Sequence, residues 1–205
     1  MKLIDLSHVI ADGMPVYPGD TETRLLQVRF LDTDKYNNHR LDINMHAGTH
    51  IDSPMHLTGC KQYISELPLE PFIGEGCVLD AREQPLITYK AEYETMVKEG
   101  GIVLLYTGFD KYYGTQEYYE KHPCLDMELC QFFIAKKLKM VGMDLPSPDR
   151  YPFAVHQALF ANNIYLLENL TNLGQLLTVD RFEVIAFPLK LKADSSITRA
   201  VARII

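Results

Sequence analysis

The sequence predicts an α/β fold with a mixed sheet, in one domain spanning residues 1–205. Three observations carry that reading. Short apolar runs of strand length recur through the second half, at Ile102–Tyr106, Met140–Met143 and Ile164–Leu167. Between them lie stretches whose apolar residues fall at helical spacing. The first third shows strand composition throughout, broken only by turns.

Taken in order, Lys2–Leu6 reads as a strand, and Gly13–Asp20 as a turn because Pro15, Pro18 and Gly19 cluster there. Thr23–Phe30 and Leu41–Met45 are strands, the second leading straight into a histidine-rich segment. Gly76–Asp80 is a further strand. Tyr89–Lys98 has helical composition and stops at the Gly100-Gly101 pair. Ile102–Tyr106 is a strand of the buried type. Asp126 is a candidate N-cap for a helix over Met127–Lys139, where Leu129, Phe132, Phe133, Ala135 and Leu138 recur at helical spacing. Met140–Met143 is a strand ending at Asp144, Ala154–Ala161 a helix and Ile164–Leu167 a strand. Phe182–Phe187 and Ala200–Ile205 supply the last strands. The apolar runs Leu25–Phe30 and Ala200–Ile205 read as core strands; the alternative is that copies of the chain pair through them.

Composition excludes several classes. The 205 residues carry a net charge of −7, where a nucleic-acid binder would show a basic stripe. No apolar run approaches the roughly 18 residues needed to cross a bilayer, and the start MKLIDLSHVIADG is not a signal peptide. Cys60, Cys77, Cys124 and Cys130 show no CxxC spacing, so they read as reduced thiols in a cytoplasmic protein. No G-x-G-x-x-G, P-loop or G-x-S-x-G elbow is present, which argues against nucleotide cofactors and a serine triad.

The chemistry concentrates in His46-Ala-Gly-Thr-His50-Ile-Asp52-Ser-Pro-Met-His56. Neutral imidazole and carboxylate suit a borderline divalent metal such as Zn²⁺ or Mn²⁺. Gly48, Thr49, Ile51 and Pro54 disfavour a helix, and H-E-x-x-H is absent. If the segment is extended, His46, His50, Asp52 and His56 share one face, because side chains alternate with a period of two. Gly48 on that face would then leave room for a metal and its water. Further ligands must come from elsewhere. His156 lies on the helix after Pro152, and Glu168 follows the strand Ile164–Leu167. By themselves, these two read rather as a helix-surface imidazole and a solvated loop residue than as ligands.

With these residues in view, the chain resembles the metal-dependent cyclase/hydrolase family that contains bacterial kynurenine formamidase. The signature H-x-G-T-H-x-D-x-P-x-H stands at His46 to His56 without a departure. The later blocks TGFDKYY (Thr107–Tyr113), VGMDLPSPD (Val141–Asp149), LLENLTNL (Leu166–Leu173) and FPLKLKADSSITRAVA (Phe187–Ala202) follow in order. The resemblance implies a swivelling β/β/α fold and one or two metal ions per subunit. It gives His46, His50 and Asp52 to the first metal, and Asp52, Glu168 and His156 to a second. It leaves His56 as general acid/base. It also implies a small-molecule substrate, an aryl formamide above all, and a homodimer or homotetramer. One departure bears on substrate: where the formamidases usually carry a tryptophan before Pro-Gly-Asp, this chain has Tyr17. Tyrosine still offers a ring for stacking. Two rivals stand beside this reading. One is ring opening of a cyclic amide or lactone, such as isatin, by the same residues. The other is a non-catalytic protein with a structural metal, although structural sites are closed and often rich in thiolate.

Overall fold

A computed structural model describes residues 1–205. Strand β1 (Lys2–Asp5) is followed by a hairpin of β2 (Arg24–Arg29) and β3 (Asn38–Asp42), with a single helical turn, α1 (Leu31–Asp34), between them. Next come β4 (His50–Asp52), β5 (Ile73–Asp80) and the two-residue β6 (Leu86–Ile87). The middle holds α2 (Tyr93–Met96), β7 (Ile102–Tyr106), α3 (Gln116–Glu120) and β8 (Cys124–Leu125). Then follow α4 (Met127–Ala135), β9 (Met140–Met143), α5 (Ala154–Ala161), β10 (Tyr165–Glu168), β11 (Phe182–Ile185), β12 (Ser195–Ile197) and β13 (Val201–Ile204).

Nine strands form one mixed sheet in the order β1-β13-β11-β5-β7-β9-β10-β4-β12. The four central strands β5, β7, β9 and β10 run parallel, and the flanking pairs are antiparallel. Parallel strands covered on both faces must be apolar throughout, and Ile102–Leu105 are all buried. Their side chains alternate between two cores. Val103 and Leu105 join the one under α4 and α5, with Phe133, Leu159 and Phe160. Ile102 and Leu104 join the other, with Phe72, Leu167 and Val184. Gly142 lets β9 lie close to this second core, since a Cβ there would sit 2.5 Å from Leu104 Cδ2.

The mixed sheet, β7, β9 and α5 fall where the sequence placed them, and Asp126 caps α4 by accepting from Leu129 N at 2.8 Å. Four expectations change. The helix over Tyr89–Lys98 is one turn, Tyr93–Met96, without a side-chain cap, held by burial of Tyr93 and Val97 rather than by helical propensity. The helix from Met127 stops at Ala135 rather than Lys139, because Lys137 takes a left-handed φ of 49°. The strand expected at Leu41–Met45 is Asn38–Asp42, and residues 43–49 lie outside any strand. Finally, β2 and β3 pair only with each other, and Leu26, Phe30 and Leu31 are 50–59% exposed. Leu25–Phe30 is therefore no core strand, whereas Ala200 and Ala202 are buried as expected. No helix is long and apolar enough to cross a membrane.

Candidate metal centre

The centre sits where β4 meets β10 and β12 at one side of the sheet. Only His50 and Asp52 use the period of two, since β4 is three residues long. His46 and His56 reach the same place from turns on either side, so the four-residue extended face expected from the sequence does not form. Gly48 explains the first turn. Its φ is +65°, and a Cβ there would meet Met14 Cε at 2.7 Å, so the glycine provides backbone freedom and close packing rather than space for a metal. The Gly48 carbonyl lies 2.8 Å from His50 Nδ1 and accepts from Asn169 Nδ2 at 3.0 Å. With Nδ1–H donated to that carbonyl, His50 Nε2 is left as the free lone pair.

Register supplies the partner from the other side. Glu168 lies opposite His50 in the antiparallel β10–β4 pair, so both side chains point to one face. His50 Nε2 is 3.6 Å from Glu168 Oε2 and 3.3 Å from Asp52 Oδ1, and His46 Nδ1 is 2.9 Å from Asp52 Oδ1. His156, from α5, brings Nε2 to 3.4 Å from Glu168 Oε1. Its Nδ1 lies 2.5 Å from Asp149 Oδ1, and the other oxygen of Asp149 accepts from Val155 N at 2.6 Å at the start of α5. Asp149 thus fixes both the helix start and the face His156 presents.

His50, Asp52, His156 and Glu168 are 1–3% exposed. Yet His50 Nε2, Asp52 Oδ1 and Glu168 Oε1 have no hydrogen-bond partner. Buried polar atoms without partners are rare and costly, and these lie together. The ligand atoms of His50, Asp52 and Glu168 all fall within 4.8 Å of one another, as do those of His46, Asp52 and His56. Atoms this close that do not bond to each other fit a shared cation. The donor set of imidazole and carboxylate without thiolate suits a divalent metal. All six residues named from the sequence are thus brought together. The compact triple on the outer side joins His46 and Asp52 to His56 rather than to His50, and His156 reaches the group through Glu168.

Charge follows the same pattern. Burial alone would lower the pKa of His46, but Asp52 and Asp194 outweigh it and push it up to about 11. His156 rises to about 9 against its burial, through Asp149 and Glu168. Asp52, though buried, is held well below the usual carboxylate range by His46 and His50.

A cavity of about 270 Å³ opens onto the cluster, lined by His46, His56, Tyr17, Tyr113, Tyr119 and Phe153 among others. Tyr17 stands edge-on to Tyr119, with ring centroids 5.6 Å apart. Asp20 also lines the cavity, and no lysine or arginine does.

Sequence reasoning missed Asp149, Asn169 and Asp194. Asp149 lies four residues before the N-cap Phe153, so no local capping pattern marks it, although its carboxylate accepts from Val155 N. Asp194 carries no local signal either: it meets His56 across 138 residues of chain, at 3.1 Å.

Residues 4–150 match the family described as putative cyclase. The chain is 30% identical to kynurenine formamidase of Bacillus cereus over 98% of its own length and 96% of the relative's. Isatin hydrolase A from Labrenzia aggregata, bound to benzyl benzoate, superposes with a TM-score of 0.87 at 24% identity, over 99% of this chain and 93% of that one. Isatin hydrolase A from Ralstonia solanacearum gives 0.86 at 19% identity, over 100% and 92%. The two solved structures share its fold, and the match through most of its length shows that the chain belongs to the cyclase family of metal-dependent hydrolases.

Proposed function

We propose that the protein is an arylformamidase-type amidohydrolase, releasing kynurenine and formate from N-formylkynurenine. The observation that carries this reading is the convergence of three buried, unpartnered ligand atoms beside a partly exposed histidine at an aromatic-lined cavity. One or two divalent ions, Zn²⁺ or Mn²⁺, would be held by His46, His50 and Asp52, and by Asp52, His156 and Glu168. Such an ion lowers the pKa of water towards about 7 and polarises a carbonyl.

The chain's own residues do the rest. Tyr17, Tyr119 and Phe153 hold an aryl ring in the cavity. His56, with its side chain 29% exposed, stands between the ligand cluster and solvent. Its Nε2 takes the proton of the attacking water and returns it to the aryl nitrogen as the C–N bond breaks. Asp20, in a lining without lysine or arginine, suits a substrate arm bearing an ammonium. N-formylkynurenine has that arm and isatin lacks it.

Ring opening of isatin or a related lactone is the second reading, favoured by the fold likeness to isatin hydrolases and by tyrosine at position 17. The cytoplasmic placement is supported by four unpaired cysteines. We further propose a homodimer or homotetramer, supported by the exposed apolar side chains of the β2–β3 hairpin.

The deciding assay reconstitutes the protein with metal and offers N-formylkynurenine, isatin and an aryl lactone, each with and without chelator. Chelator-sensitive release of kynurenine establishes the formamidase. Turnover of isatin or lactone alone replaces it with ring opening. A metal whose removal lowers thermal stability strongly, in a protein that turns over none of the three, makes the site structural.

A further inference from the structure

One carboxylate outside the proposed ligand set touches two of the site's histidines. Asp194 immediately precedes β12, and the β12–β4 register, with Ser195 opposite Asp52, sets it beside Ser53. Its carbonyl accepts from Ser53 N at 3.2 Å and from Ser53 Oγ at 2.7 Å, so its backbone is anchored whatever its side chain does. Oδ2 of Asp194 lies 3.0 Å from His46 Nε2 and 3.1 Å from His56 Nδ1. An ionised carboxylate can only accept. An aspartate carboxyl is ionised at neutral pH, and this one faces a ring nitrogen of each histidine at hydrogen-bond distance. Both facing nitrogens must therefore carry hydrogen. In the neutral ring that binds a metal or takes a proton, the lone pairs are then on His46 Nδ1, 2.9 Å from Asp52 Oδ1, and His56 Nε2, 3.9 Å from Asp52 Oδ2. Both sit on the side of the cluster.

We infer that Asp194 is a positioning residue that fixes the tautomers of His46 and His56 together, so that one oxygen selects both the ligand atom of His46 and the reactive nitrogen of His56. The inference rests on the roles proposed above for those two histidines. The two are not equally dependent on it. Ser195 Oγ also lies 3.0 Å from His46 Nε2 and can replace Asp194 there, while the His56 ring makes no other hydrogen bond. Loss of Asp194 should therefore release His56 and largely spare His46.

The test uses full-length, zinc-loaded protein and long-range ¹H–¹⁵N spectra of the histidine rings. In the wild type His56 should carry its proton on Nδ1. In Asp194→Ala that preference should be lost while His46 keeps its own, and zinc affinity should fall by no more than about tenfold, the low end for loss of such a partner. At saturating zinc, kcat should drop roughly 10²-fold with KM little changed. In a His56→Ala background the same substitution should lower kcat no further. Asp194→Asn, which keeps the shape, serves if the alanine variant folds poorly. A His56 tautomer that survives both substitutions, or that starts as Nε2–H, overturns the inference. Wild-type protein that shows the Nδ1–H tautomer yet hydrolyses nothing would instead refute the hydrolase reading.

Discussion

The β2–β3 hairpin and the β4 strand that follows it invert the usual rule of burial. The hairpin exposes Leu26, Phe30 and Leu31 at 50–59%, while β4 buries His50 and Asp52 at 2% and 1%. Both segments alternate as strands. What separates them is their neighbours: β4 is paired on both sides by β10 and β12, whereas β2 and β3 have only each other. Apolar residues left outside are what the proposed subunit contact rests on. Buried ligand atoms left without hydrogen bonds mark a centre awaiting a ligand.

Four experiments press on that contrast. The largest effect is expected at β4: His50→Ala should abolish activity and bound metal together, read by elemental analysis beside the assay. Retention of full metal content would show that the buried atoms are not ligands. His56→Ala should keep the metal and lose activity by about 10²–10⁴-fold; an emptied site in a folded protein would make His56 a ligand, as its proximity to His46 and Asp52 permits.

The third experiment concerns a buried histidine without carboxylate partners. Burial, with the Arg150 charge beside it, lowers His122 from 6.5 to about 4. The unfolded chain therefore binds the proton first. His122 contributes stability that is complete above pH 6.5 and lost as pH falls towards about 4, worth about 3 kcal/mol at 1.4 kcal/mol per pH unit. Denaturant titrations across that range should show the slope, and His122→Gln should flatten it. An unchanged slope would assign the acid sensitivity elsewhere. The smallest effect is at the hairpin. Phe30→Ser should change subunit stability by about 0.5 kcal/mol or less while lowering the oligomeric state in sedimentation. A large loss of stability with no change in mass would make the hairpin part of the fold after all.

Legibility followed the range of the interaction. The period of two placed His50 and Asp52 correctly, and turn chemistry at Gly48 and Pro54 could have warned that His46 and His56 leave the strand. The helix α5 with His156 was readable from composition. Glu168 became a candidate through its place at a strand end, but only register sets it opposite His50. Asp194 was within a recognised block, yet no local pattern ties it to residues so far away in the chain. The hairpin misled for a related reason: an alternating apolar strand looks the same beside a core and beside solvent.

The placement of β12 at the rim of the sheet has a consequence in time. On the ribosome, His46, His50, Asp52 and His56 emerge early, and the central strands that support them follow. The strand that flanks Asp52, with the carboxylate proposed to orient two of the histidines, follows His56 by 138 residues. Contacts spanning that much chain form late. A nascent protein can thus hold most of the proposed cation's cage before Asp194 is in place beside His46 and His56.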